Sequence, residues 1–114
     1  MTIEKKKYIP KKGDLVQICF DTSSENKYQK NYQGLVVSRY DFNRKTNLAV
    51  ICPISSTLKK LPTRYTLPNE LDTTGQILIS RLETLDFEEI EIKKIESIPL
   101  QDMAKIDQII EYIF

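Results

Sequence analysis

The chain contains no histidine among its 114 residues. That removes the commonest general acid–base group and the commonest zinc ligand. A histidine-pair ribonuclease mechanism and a Ser-His-Asp hydrolase are excluded with it. An excess of charge of one sign is missing too: Lys and Arg number 17, Asp and Glu 16, for a net charge of +1. No global field therefore draws in a polyanion, and any nucleic acid has to be met by a local patch. No apolar run approaches the roughly 18 residues of a membrane span. The opening "MTIEKKKYIPKKGD" has lysines but no apolar stretch behind them, which argues against a secretory signal. The expectation is a cytoplasmic protein with no membrane contact. Cysteine is scarce. Cys19 and Cys52 each sit inside an apolar run and read as reduced core thiols. A disulfide or metal site would need closer spacing or further ligands.

What is present is the composition of an ordinary globular chain, 40% hydrophobic and 29% charged. The length suits a single domain over residues 1–114. "GDLVQICFD", Gly13 to Asp21, reads as a first strand that is apolar on both alternating sets, as in a small closed barrel. "TSSENKYQKNY", Thr22 to Tyr32, is polar throughout and reads as a loop. "GLVVSRY", Gly34 to Tyr40, predicts a second strand and "DFNRKTN", Asp41 to Asn47, a turn. "LAVICPIS", Leu48 to Ser55, predicts a third strand, closed by Pro53. Short strands are expected around Arg64 to Leu67 and at Gln76 to Ile79, with a turn or short helical piece over Arg81 to Ile90. In Glu89 to Ile98, Ile alternates with charge, and the period slips once at Lys93-Lys94, which predicts a strand. The tail is a helix. Pro99 or Leu100 opens it, and Met103, Ile106, Ile109, Ile110 and Ile113 share one face. The class is mainly β with one or more short helices: a small antiparallel barrel carrying a C-terminal helix.

Without histidine, phosphodiester chemistry has to lean on Arg, Lys, Tyr, Ser, Thr and carboxylates. RNA asks least of them, because its own 2′-OH is an internal nucleophile. The protein must then take the 2′ proton, hold the phosphate against growing charge, and protonate the leaving oxygen. Candidates gather at two places. The loop "ENKYQKNY" offers Glu25, Lys27, Tyr28, Lys30 and Tyr32, and basic residues interleaved with Tyr suit single-stranded RNA. "PISST", Pro53 to Thr57, gathers hydroxyls that can bond a phosphate. From composition alone, a solvated loop and ordinary turn chemistry are the stronger readings of those two stretches.

The order of these pieces resembles the MazF/PemK family of toxin endoribonucleases over nearly the whole chain. "YIPKKGDLVQICFD" resembles the family's opening, where Tyr-x-Pro-x-x-Gly-Asp leads into the first strand. "GLVVSRYDFNRKTNLAVICPISS" resembles its central block, and "LPTRYTL" the short strand after it. "GQILISRLETLD" resembles a segment that in relatives reads Asp-Gln-Val-[Lys/Arg]-[Ser/Thr]-[Leu/Ile]-Asp. The resemblance implies an SH3-like barrel, a homodimer, and cleavage of single-stranded messenger RNA with no metal or cofactor. It also implies an acidic antitoxin whose tail fills the RNA groove. In the family, an Arg-Pro entering the second strand supplies an acid and phosphate ligand, and a hydroxyl after the Pro of the third strand is its partner. Ser55 falls at the hydroxyl position. Tyr32-Gln33 falls where Arg-Pro is expected. The resemblance and the Lys/Tyr loop together assign Ser55, Tyr32 and Glu25 to catalysis, and Lys27, Tyr28, Lys30, Gln33, Ser56 and Arg81 to RNA binding. The missing Arg leaves three readings open. Tyr32 acts as the acid, with Lys30 or Lys27 supplying charge. Or an arginine from elsewhere, Arg39, Arg64 or Arg81, reaches the site. Or cleavage is lost and only RNA or antitoxin binding remains, beside a role such as the topoisomerase poisoning of the related CcdB toxins.

Overall fold

The computed structural model describes residues 7–21 and 29–114. In chain order the elements are β1 (Asp14–Asp21), β2 (Gln29–Val36), α1 (Tyr40–Thr46), β3 (Leu48–Ser55), β4 (Arg64–Thr66) and β5 (Gln76–Leu78). A 3-10 turn (Ile79–Arg81), β6 (Glu83–Asp86), β7 (Glu91–Ser97) and α2 (Leu100–Ile113) complete them. Every strand pairing is antiparallel. The order is β4-β5-β3-β2-β1-β7, and β6 also pairs with β3. The mainly β, antiparallel class with a closing helix is as expected.

The expectation that β1 is covered on both sides holds. Leu15 joins one cluster with Leu35, Cys52, Ile77, Met103 and Ile106. Val16 and Ile18 join a second with Val36, Ala49, Ile51, Leu85 and Phe87. The first cluster lies under α2. Met103 and Ile106 are buried in it, and Ile109, Ile110 and Ile113 pack against it, so the helix's apolar stripe faces the sheet. No helix among the described residues is long and apolar enough to cross a membrane. Both cysteines are free. Cys52 is a core thiol, and burial pushes its pKa up to about 12. Cys19 departs from the expectation, being only half-buried.

The opening motif has a mechanical reading. Asp14 is buried and accepts from the Tyr8 hydroxyl, from the Lys11 amide at 3.1 Å, and from Lys94 Nζ at 3.5 Å. Burial, and after it this carboxylate, pushes the Tyr8 phenol well above its ordinary value. The Pro10 carbonyl accepts from Asn43 Nδ2 at 2.8 Å. Gly13 joins two strands, its amide donating to Val36 O and its carbonyl accepting from Ile98, each at 2.9 Å.

Three elements differ from the sequence expectation. β2 begins at Gln29, inside the segment read as loop, because the ladder with β1 runs on through Ile18–Tyr32, Cys19–Asn31 and Phe20–Lys30. Backbone pairing is indifferent to polar side chains that have a solvated face. β2 also stops at Val36, short of Tyr40, and the expected turn is the helix α1. Asp41 sits in its first turn, Arg44 and Lys45 in its last, and Asn47 caps it with φ 59°. The buried Asn43 side chain pins it to Pro10 and Ser38. Finally, Glu83–Asp86 is a strand where a turn or helical piece was expected, because Leu85 fills the second cluster and Phe87 comes next at period two. The slip in the Ile pattern is a β-bulge: Leu15 faces Glu96 while Val16 faces Lys94, leaving Ile95 as the extra residue.

The two ends of the sheet meet without a strand ladder among the described residues. Glu96 of β7 accepts from the Thr73 amide at 2.7 Å and from Thr73 Oγ1 at 2.5 Å. The Thr73 bonds hold the Glu96 carboxyl below its ordinary value.

Gly34 leaves no room for a side chain. A Cβ there would sit 2.4 Å from Ile51 Cγ2, 3.2 Å from the Cys52 carbonyl and 3.3 Å from Ile18 Cδ1. Gly34→Ala is therefore expected to destabilise the fold by about 1–3 kcal/mol, the cost of overpacking a filled core. The midpoint of urea unfolding measures it, and an unchanged midpoint would show that β2 and β3 can part without loss.

Candidate active site

The candidate site lies where β2 and β3 part. Their ladder runs Val36–Ile51, Leu35–Cys52 and Gly34–Pro53. Pro53 has no N–H to extend it. Beyond it β3 turns to another partner, Ile54 pairing with Ile77 and Ser55 with Gln76 of β5. Continuing the β2–β3 register would set Tyr32 opposite Ser55. These two residues instead flank the mouth of a fork.

On the β3 side a hydroxyl-bearing loop is held by its neighbours. Ser55 Oγ accepts from the Thr57 amide at 3.1 Å. This fixes the oxygen and leaves the hydroxyl proton able to donate. The buried Gln76 side chain clasps the loop further on. It accepts from the Lys59 amide at 2.9 Å and donates to the Lys59 carbonyl and Thr66 Oγ1, each at 3.1 Å. Arg64 Nη1 donates to the Thr57 carbonyl at 2.9 Å. Gly75, at φ +127°, lets β5 approach. A Cβ there would lie 2.5 Å from the Ser55 carbonyl oxygen.

On the β2 side Tyr32 is half-buried, its ring stacked on Phe20 at 5.9 Å between centroids and 17° between planes. Its hydroxyl donates to Glu83 Oε1 at 2.7 Å. Burial pushes the Tyr32 phenol well above its ordinary value, and the bond to Glu83 and that residue's charge add to the rise. The phenol is thus a neutral donor throughout the physiological range. It is too weak an acid to ionise on its own, yet still far more acidic than the alcohol that an alkoxide leaving group becomes.

Of the residues expected in the site, Ser55 and Tyr32 flank the fork. Ser56 is exposed in the hydroxyl loop. Arg81 is exposed at the end of the 3-10 turn, two residues before Glu83. Gln33 does not join Tyr32. Strand alternation puts it on the opposite face, in register with Gln17 of β1. Lys30 lies opposite Phe20 in the β1–β2 ladder. Glu25, Lys27 and Tyr28 lie outside the described residues. Of the three arginines considered as substitutes, Arg39 is exposed at the N-terminus of α1 and Arg81 is exposed beyond β5. Arg64 alone of these donates to the hydroxyl loop.

Sequence reasoning passed over Glu83. Its signal was the period-two run Glu83-x-Leu85-x-Phe87, which sets the carboxylate on the face that buries Leu85 and Phe87. A shallow groove of about 170 Å³, lined by Gln17, Cys19, Asn31, Glu91 and Lys93, lies on the other face of the sheet from Tyr32.

Comparison with known proteins agrees with this architecture. A family model described as PemK-like, MazF-like toxin of type II toxin-antitoxin system matches residues 11–114. A chain in a MazE–MazF crystal structure from Deinococcus radiodurans superposes with a TM-score of 0.84 at 25% identity, covering 94% of this chain and 96% of that one. A crystal structure of MazF from the same organism gives 0.80 at 25% identity, covering 94% and 97%. An endoribonuclease in complex with its cognate antitoxin, from mycobacterial species, gives 0.74 at 23% identity over 91% and 93%, a likeness of fold. Among proteins with curated descriptions, none matches the chain in sequence.

The Tyr32–Glu83 bond is open to direct measurement by ultraviolet titration of the tyrosines. The difference between wild type and Tyr32→Phe isolates the Tyr32 phenol, which is expected to ionise well above the ordinary tyrosine range. Glu83→Gln removes the carboxylate that favours the neutral phenol and should lower its pKa while leaving it above the ordinary value, since burial remains the larger cause. An unshifted titration in Glu83→Gln would mean that the two side chains do not interact in solution.

Proposed function

The chain belongs to the PemK-like, MazF-like toxin family of type II toxin–antitoxin systems, and from that membership we propose that it is an endoribonuclease acting on single-stranded RNA at the fork between β2 and β3. The observation that carries the assignment is the pairing of a protonated phenol with a carboxylate, Tyr32 to Glu83, on the strand that parts from that of Ser55 after the Gly34–Pro53 pair. The family match favours this reading over a topoisomerase poison.

RNA brings its own nucleophile, so the reaction is a transesterification that needs no metal. Glu83 takes the proton of the 2′-OH. The 2′ oxygen attacks the adjacent phosphorus, the P–O2′ bond forms, and the P–O5′ bond breaks. Tyr32 gives its proton to the departing 5′ oxygen. Even a phenol with a raised pKa can do this, because the alkoxide it meets is more basic still. Glu83 then returns the 2′ proton to the Tyr32 oxygen along the hydrogen bond that joined them at the start. The net transfer is one proton from the 2′-OH to the 5′-OH, and the products end in a 2′,3′-cyclic phosphate and a 5′-hydroxyl. Ser55 donates to a non-bridging phosphate oxygen, on which negative charge grows in the transition state. Glu83 takes the base role that sequence reasoning gave to Glu25. Lys27, Tyr28 and Lys30, which precede Tyr32 in the sequence, are assigned to holding the RNA strand. Ser56 is assigned the same task from the hydroxyl loop, and Arg81 from beside Glu83.

The partners come from the same membership. The crystal structures of relatives include a MazE–MazF complex and an endoribonuclease bound to its cognate antitoxin. This chain accordingly takes an acidic antitoxin whose tail competes with RNA, acts in the cytoplasm, and works as a homodimer.

Incubating a long single-stranded RNA with the protein in EDTA tests the proposal. Fragments ending in a cyclic phosphate on one side of each cut and a free 5′-hydroxyl on the other are expected. Tyr32→Phe should slow cleavage by about 10²–10⁴-fold, the usual worth of a general acid. Ser55→Ala should cost about 10²-fold or more, as for loss of one transition-state donor. RNA left intact at every protein concentration would overturn the enzyme reading. If Tyr32→Arg then gained cleavage, the wild-type protein would be a binder that has lost the reaction. For assembly, light scattering at micromolar concentration should give twice the 13.3 kDa chain mass, and a monomer mass would remove the dimer.

A further inference from the structure

Building on the ribonuclease reading, we propose that Arg64 is the permanent cation of the site and binds a backbone phosphate of the RNA at the Ser55–Thr57 loop. Two independent features meet there. The first is geometric. Thr57 links the two groups that matter, its amide donating to Ser55 Oγ at 3.1 Å and its carbonyl accepting from Arg64 Nη1 at 2.9 Å. One residue therefore separates the guanidinium from the hydroxyl that faces the scissile phosphate. A neutral carbonyl occupies one of the five guanidinium donors and cancels none of its charge. Among the described residues no carboxylate forms an ion pair with Arg64. Lys7, Lys12, Lys93 and Lys94 are each in an ion pair with a carboxylate.

The second feature is the local charge. The stretch "SSTLKKLPTRYTLPN", Ser55 to Asn69, contains Lys59, Lys60 and Arg64 and no acidic residue, within a chain of net charge +1. The opposite rim of the fork carries the Glu83 carboxylate. The site is thus bipolar. A phosphodiester is drawn to the β3–β4 side, which turns its 2′-OH towards Glu83. β4 holds Arg64 firmly for this purpose. Its neighbour Tyr65 donates to the buried Asp102 of α2 at 2.5 Å, tying the short strand to the helix.

Arg64→Gln separates the role of charge from that of shape, since Gln can still donate to the Thr57 carbonyl. The measurements are cleavage of a long single-stranded RNA in EDTA, and binding of a 2′-O-methylated copy of it, monitored by anisotropy from 50 to 300 mM salt. For Arg64→Gln the slope of log K against log salt should shrink by about 0.7, one phosphate contact on a single strand. Cleavage should fall by about 10²-fold, as for loss of a charged transition-state ligand. Arg64→Lys should restore the slope but only part of the rate, because an ammonium lacks the guanidinium fork. Unchanged melting temperatures confirm that the loop stays folded. A wild-type slope in Arg64→Gln overturns the assignment whatever the cleavage rate does. If wild type cuts no RNA yet Arg64→Gln still loses the slope, the phosphate contact stands and the ribonuclease reading falls. If wild type neither cuts RNA nor binds the methylated copy, both fall.

Discussion

A β-strand has two edges, and β3 serves three partners with them. β2 takes one edge along Ile51–Pro53. The other is divided, Leu48–Ile51 going to β6 and Ile54–Ser55 to β5. The shape of the fork depends on that division. β2 loses its partner after the Gly34–Pro53 pair, while Ser55 is fixed by Gln76 and by the close passage of Gly75. The same residue, Ile51, is paired to Val36 on one side and to Glu83 on the other. This brings β6 near enough to β2 for Glu83 to meet Tyr32. An open fork and the Tyr32–Glu83 hydrogen bond thus come from the same sharing of one strand.

The parts of this fold that were legible in the sequence are those determined locally. β3 has the bounds that its apolar run and terminal Pro and Ser imply, and α2 presents the stripe that its isoleucines describe. The misread parts are those decided at a distance. Polar Gln29–Asn31 look like loop until the length of β1 is known to demand a partner. α1 reads as turn chemistry because its fixing contact is a buried Asn43 reaching Pro10, 33 positions away in sequence. Ser55 could be found from its place after Pro53. Glu83 could not readily be found, since its role comes from Tyr32, 51 positions away.

The electrostatics of the fork answer the absence that the composition announces. Histidine would supply proton transfer near neutral pH, and a lone arginine on β2 would supply charge. In the proposed site those tasks are divided among three side chains on three strands. Glu83 and Tyr32, which share a hydrogen bond, are the proposed proton carriers, and Arg64, bonded to the Thr57 carbonyl, is the proposed permanent charge. In that proposal a chain of net charge +1 meets its polyanion through a short acid-free stretch.

The clasp between Glu96 and Thr73 has a consequence for how these molecules behave in a crowd. A sheet that closes by side chain leaves the outer edge of β7 without a partner strand among the described residues, and an unpaired strand edge is a template for another chain. β7 carries Glu91, Lys93, Lys94 and Glu96, and the extra residue Ile95 kinks it. Charge and bulge together are what keep such an edge from recruiting a foreign strand. The slip in the isoleucine pattern that looks like an imperfection of the strand is thus a guard against aggregation.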